Sequence, residues 1–187
     1  MMTSSIPQTM QAAVMHSPRQ IRIETVPVPD IAPDEVLIKV MAVGICGSDL
    51  HYYTHGRIGK YVVEKPIILG HECSGDVAAV GADVTGFKVG DRVAVEPGVT
   101  CGRCEACKEG RYNLCPDVQF LATPPVDGAF VQYIKIRQDF VFRIPDSLSY
   151  EEAALIEPFS VGIHAAARSK LTPGSTIAIM GMGPVGL

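Results

Sequence analysis

The 187 residues are 47% hydrophobic and 19% charged, with a net charge of −4 at pH 7 and no tryptophan. That supplies apolar material for one sizeable domain, or one domain and part of another, while interspersed acids and bases argue against nucleic acid or an anionic membrane as the main partner. No stretch approaches the ~18 consecutive apolar residues of a membrane span, and Met1–Gln11 lacks the basic start and apolar run of a secretory leader, so a cytoplasmic setting with reduced thiols is expected.

From Ile21 to Ile144, short β-rich runs alternate with turns. Val36-Leu37-Ile38-Lys39-Val40 opens after the turn Pro33-Asp34. Val77–Val80, Arg92–Val95, Phe130–Ile136 and Phe140–Ile144 repeat its texture, punctuated by Gly75, Gly81, Gly86, Gly90 and Gly128. Strands spaced in this way predict a small barrel or sandwich.

Cys46 stands just past the first of these runs, in Gly44-Ile45-Cys46-Gly47-Ser48-Asp49. A solitary cysteine is commonly a small core residue. Gly70-His71-Glu72, after the apolar Ile67-Ile68-Leu69, adds an imidazole and a carboxylate. One sulfur, one imidazole and one or two carboxylates form a low-symmetry donor set, the kind that leaves a position open on a catalytic zinc. Asp49 has two readings, a turn residue after glycine or a carboxylate that orients a ligand histidine. Ser48 and His51 are a candidate hydroxyl–imidazole relay to solvent. Cys73 reads most simply as a buried small residue, His16 and His164 as structural, and His55 carries no assignment.

Cys101, Cys104, Cys107 and Cys115 follow as C-x2-C-x2-C-x7-C, with Gly102, Gly110 and Asn113 allowing tight turns. Four thiolates can close a tetrahedral shell around one soft cation, and a closed shell leaves no room for substrate, so a structural zinc lobe over 98–116 is expected. An iron–sulfur cluster competes with this, because Pro116 follows Cys115 as in ferredoxin runs. The last gap is seven residues rather than three, and no second run occurs. Unmetallated thiols are the third reading.

The texture changes after Ile144. Ser149-Tyr150-Glu151-Glu152 has the S-x-x-E form of a capping box ahead of Ala153-Ala154-Leu155. Pro158 suits the first turn of a further helix running toward Lys170, which Pro173-Gly174 closes. Glu157 is an isolated acid there, either a carboxylate favoured by the helix dipole or a member of the mixed site. Thr176–Met180 then predicts a short strand flowing into Gly181-Met182-Gly183-Pro184-Val185-Gly186, a G-x-G-x-x-G in the context that makes a dinucleotide loop credible. Gly181, Gly183, Val185 and Gly186 are its cofactor-binding candidates. The acid expected about 20 positions further on falls past Leu187.

Taken together, Ala42–Asp49, Leu69-Gly70-His71-Glu72 and Val89-Gly90-Asp91-Arg92-Val93 resemble the signatures of the zinc-containing medium-chain dehydrogenases, over nearly the whole chain from Gln11 to Leu187. Ser48–Tyr53 with Gly56-Arg57-Ile58-Gly59, Phe120–Pro125 and Ile156–His164 resemble the polyol branch, the sorbitol and xylitol dehydrogenases. The four-cysteine run, which animal sorbitol dehydrogenases often lack, fits a microbial or yeast-type relative.

That resemblance implies a GroES-like, β-rich catalytic domain, a partial barrel with a few helices over 1–157. A connecting helix over 158–173 and the first strand and Gly-rich loop of a Rossmann α/β domain over 174–187 would follow. It implies a catalytic zinc on Cys46, His71 and Glu72, with Glu157 against the zinc water and the substrate. Tyr52 and Phe120 would line the polyol pocket, with Ser48 the hydroxyl nearest the reacting oxygen. Two zincs per chain and NAD in preference to NADP are the expected cofactors, a sorbitol- or xylitol-type polyol the expected substrate, and a homotetramer or homodimer the expected assembly. Another zinc alcohol or threonine dehydrogenase, or a non-catalytic zinc-binding fragment, is the competing expectation. Family members are roughly twice as long, so the 187 residues alone are not expected to oxidise polyols.

Overall fold

The computed structural model describes residues 6–187, so the first five residues of the stretch read for a leader lie outside the described residues. The chain opens with a hairpin of β1 (Thr9–Ser17) and β2 (Gln20–Pro27), paired from Thr9↔Pro27 to Ser17↔Gln20. Alternation buries Met10, Ala12 and Val14 on one face of β1, while Met15 on the other packs with Tyr52, Ile67 and Leu69. β3 (Glu35–Gly44) follows, then helix α1 (Gly47–His55) and the short strands β4 (Arg57–Ile58), β5 (Tyr61–Val62) and β6 (Ile67–Ile68). β6 closes onto β1 through Val14↔Ile68.

β7 (Glu72–Val80), β8 (Arg92–Val95), β9 (Gly98–Val99), β10 (Gln119–Phe120), β11 (Tyr133–Arg137) and β12 (Val141–Arg143) complete the strands. The main sheet has five strands in the order β11-β3-β7-β8-β12, all antiparallel. With the β2-β1-β6 sheet it makes the expected GroES-like half-barrel. Its centre is built from Val36, Ile38, Val77 and Val93, none more than 1% exposed. Burying each such side chain contributes about 1.5–3 kcal/mol. A surface ion pair contributes about 0–1 kcal/mol, so Lys135–Glu35 on the rim does not decide the fold.

β3 carries two register irregularities against β7, after Leu37 and after Val40, and ends with Gly44 opposite Glu72. That register brings the start of α1 to the start of β7. Helix α1 was not expected, because Gly47-Ser48-Asp49 reads as a turn and the segment has no apolar stripe. A capping box at Cys46 and Asp49 holds it instead, together with the burial of Tyr52.

Helices α2 (Glu105–Lys108), α3 (Tyr150–Ala154) and α4 (Ile156–Arg168), with 3-10 turns at Tyr112–Leu114 and Gln138–Phe140, are the remaining elements. The expected capping box forms: Glu152 N–H donates to Ser149 Oγ at 3.2 Å and Ser149 N–H to Glu152 Oε2 at 2.8 Å. Arg92 clamps the turn before it, donating to the carbonyls of Pro145, Asp146 and Leu148, with its guanidinium 4.4 Å from the Tyr150 ring centroid. β8 thereby fixes where α3 starts and where α4 presents Glu157. The helix expected from Pro158 begins at Ile156, so Glu157 and Pro158 share its first turn.

Thr176–Met180 does not form the expected strand. A β-strand exists through its ladder, and none of the described elements pairs with this stretch. The glycine-rich run folds as a turn, with Leu187 N–H reaching Gly183 O at 3.1 Å. Among the described residues no helix is long and apolar enough to cross a membrane.

Candidate metal centre

The β3–β7 register assembles the mixed donor set. Donor atoms of Cys46, His71 and Glu72 lie within 4.8 Å of one another, with His71 and Glu72 buried and Cys46 half-buried. Room for Glu72 comes from Gly44: a Cβ there would stand 2.2 Å from Glu72 Oε2. Gly70 turns the chain into His71 at φ +87°, and a Cβ there would meet the Phe130 ring at 2.5 Å.

Asp49 binds the parts together. Its Oδ2 accepts from Cys46 N–H at 2.9 Å, and its Oδ1 accepts from Gly70 N–H at 2.9 Å. His71 Nδ1 is 3.9 Å from the same Oδ1, beyond a hydrogen bond. Asp49 is therefore a first-turn residue of α1 rather than a turn residue, and it braces the loop before His71 through Gly70 N–H without a hydrogen bond to the histidine itself.

A soft sulfur, an imidazole and a carboxylate suit one zinc with a coordination position to spare. Burial foremost, then the carboxylates of Glu72 and Glu96, pushes Glu157 up to about 7. Convergence of these acids near a buried donor set is what a bound cation would relieve.

The second set is closed. Sγ of Cys104 and Cys107 are 3.4 Å apart, Cys101 and Cys107 4.0 Å, and all four sulfurs lie within 4.8 Å of one another. A tetrahedron of ~2.3 Å zinc–sulfur bonds has edges of about 3.8 Å, so the spacing fits a single ion rather than an iron–sulfur cluster. Backbone N–H groups of Arg103 and Cys104 pull the Cys101 thiol down to about 6, while the neighbouring thiols help push Cys104 up, so the cluster loses its first proton at Cys101. Cys73 behaves oppositely: burial pushes its thiol up to about 12, in keeping with a core residue.

Beside the mixed set lies a cleft of about 420 Å³ whose wall includes Phe120, Glu157, Ser160 and Glu96. The Phe120 ring stands edge-on to His71, centroids 5.4 Å apart, so the cleft abuts the donor set. Ser48 is half-buried on α1, and His51 is exposed one turn on, where its ring stacks 4.5 Å from His55. Tyr52 is brought elsewhere. It is 3% exposed among Met15, Ile67 and Leu69, and burial raises its phenol. Gly181, Gly183, Val185 and Gly186 lie outside the cleft wall. Gly44 and Glu96 escaped the sequence reading, because neither belongs to a donor pattern and each acts only through a neighbour on another strand.

Residues 32–146 match the family model described as the alcohol dehydrogenase GroES-like domain. The chain belongs to that family. It is 86% identical over 186 residues to a sorbitol dehydrogenase of Bacillus subtilis, covering 100% of this chain and 53% of the relative. It is 52% identical over 180 residues to a D-xylulose reductase of Saccharomyces cerevisiae, covering 96% and 51%. Among solved structures, an alcohol dehydrogenase from Escherichia coli CFT073 complexed with NADH superposes with a TM-score of 0.87 at 33% identity, covering 96% of this chain and 51% of that one. This GroES-like chain thus spans about half the length of the curated relatives it matches. NADH is bound in the Escherichia coli neighbour, and the mixed donor set of this chain is chemically fitted to a zinc ion.

Proposed function

We propose that this chain forms the zinc-binding catalytic half of a polyol dehydrogenase that converts a sorbitol- or xylitol-type polyol to its ketose with NAD. The observation that carries the reading is an open Cys46–His71–Glu72 set abutting a cleft walled by Phe120 and Glu157, in a chain 86% identical to a sorbitol dehydrogenase. Cys46, His71 and Glu72 would hold one zinc, and Cys101, Cys104, Cys107 and Cys115 a second, structural one. The chemistry these groups supply when bound is Lewis-acid activation of a hydroxyl and acceptance of a hydride by the nicotinamide.

The chain's own residues do the rest. Phe120 and Glu157 position the polyol against His71, and the apolar part of the cleft wall keeps water from the reacting carbon. Ser48 Oγ accepts the hydroxyl proton as it hands its own to the neutral His51 ring, which releases a proton to solvent, a direction that their i, i+3 placement on α1 favours. Tyr52 serves as the packed floor beneath α1. Residues 1–157 act as the catalytic domain, with the lobe 98–116 as its metal-stapled part. Residues 158–173 connect to a nucleotide domain whose Gly-rich loop begins within 174–187. A homotetramer or homodimer in the cytoplasm, where the six cysteines stay reduced, completes the proposal.

The test is zinc content and substrate preference of the complete enzyme carrying this sequence. About two zincs per chain, with NAD-linked turnover of sorbitol or xylitol above threonine and simple alcohols, is the expected result. A preference for threonine or ethanol would reassign the substrate class.

A further inference from the structure

Glu96 follows β8 and lines the same cleft as Glu157 of α4, and no ligand role attaches to it in the donor pattern. Its backbone is pinned by a 2.9 Å hydrogen bond from Glu96 N–H to Phe140 O. Pro97 O accepts from Leu121 N–H at 3.0 Å, and Gly98 pairs with Phe120 across β9–β10. The carboxyl is therefore carried on rigid sheet backbone one pair away from the residue that touches His71. Around it the wall is largely apolar, with Pro97, Val118, Phe120, Phe142 and Ile156. Burial foremost raises Glu96 above the ordinary carboxylate range, against a hydrogen bond from the Tyr112 hydroxyl, and the Glu96 charge in turn raises Glu157.

A carboxyl held in an apolar cleft has a cost that a hydroxyl-rich ligand offsets, because an acceptor of two hydrogen bonds is satisfied by neighbouring hydroxyl groups. Tyr112 supplies one such bond, and a mono-alcohol, which brings only the reacting hydroxyl, leaves the remaining acceptor capacity of the carboxyl unmet. We propose that Glu96 is a specificity-determining residue that accepts hydrogen bonds from the non-reacting hydroxyl groups of the polyol. This rests on the polyol reading above. Glu157 then serves the reacting end near Glu72, and Glu96 the remainder of the chain.

The test compares wild type with Glu96→Gln and Glu96→Ala in the complete enzyme, on sorbitol, xylitol and butan-2-ol, with zinc content measured alongside. Both variants are expected to keep wild-type zinc. They should lose about tenfold or more in kcat/KM on the polyols, mainly through KM, and stay within about twofold on butan-2-ol. Polyol kinetics that are unchanged, or that fall equally on all three substrates, overturn the assignment of Glu96 while leaving the polyol reading intact. Wild-type enzyme that turns over butan-2-ol but neither polyol overturns the polyol reading, and this assignment with it.

Discussion

The two donor sets are built in opposite ways. Cys101, Cys104, Cys107 and Cys115 come from one short loop around the four-residue helix α2, and backbone N–H groups within that loop point at the sulfurs. Cys46 lies just past the end of β3, at the N-cap of α1, while His71 and Glu72 lie at the entry to β7, and only the register of those strands brings them together. A local loop closes at small entropic cost and depends little on its surroundings. The mixed site has no such independence: anything that loosens the barrel or shifts β3 against β7 reaches it first.

Removing a donor breaks the comparison most sharply. Cys46→Ser in the complete enzyme should abolish polyol turnover and lower zinc by about one per chain, leaving the four-sulfur ion in place. Metal analysis and kinetics check this, and turnover retained with that site emptied would contradict the assignment. Gly44→Ala removes no donor, yet it should have nearly the same effect, since the new methyl group occupies the space of the Glu72 carboxylate. A variant with wild-type zinc and activity would show that Glu72 has another place to go.

Asp49→Asn is milder. It keeps the shape but swaps one acceptor for an amide that faces an N–H, either of Cys46 or of Gly70. Affinity at the mixed site should fall about 10- to 100-fold, measured by chelator competition, with the four-cysteine site unchanged.

Acid sharpens the contrast least. Asp91 is held down to about 2 from its usual 3.8 by the Lys88 side chain foremost, and its Oδ2 also accepts from Arg143 Nη2 at 3.0 Å. A depressed carboxyl stabilises the fold above its unfolded value, and that contribution is lost as pH falls through 2. Asp91→Asn should therefore lower the melting temperature by roughly 2–4 °C at pH 7, and the gap from wild type should close between pH 4 and pH 2. Thermal scans across that range decide it.

Legibility divided along the same line. The cysteine run and the Ser149–Glu152 cap could be read directly, because each is a short pattern whose chemistry is complete within a few residues. The strands were legible as a texture, though β1 was not: Thr9–Ser17 mixes Gln11, His16 and small residues into a run whose burial depends on its partners β2 and β6. Helix α1 was hidden because a cysteine is its N-cap and a buried tyrosine its anchor. Thr176–Met180 shows the converse, since strand-like residues without a paired neighbour made no strand.

By itself, the sequence determined which atoms are available: four thiolates in a closed run, a further thiol, an imidazole and carboxylates for a mixed site, and a glycine-rich turn. Only the tertiary structure decided which of them meet. It set Gly44 against Glu72, gave Asp49 its two donors, sent Tyr52 into the core and placed Glu96 and Glu157 on one cleft. Donor chemistry is a property of single residues, but coincidence in space between β3, β7, β8 and α4 is a property of strand register and packing.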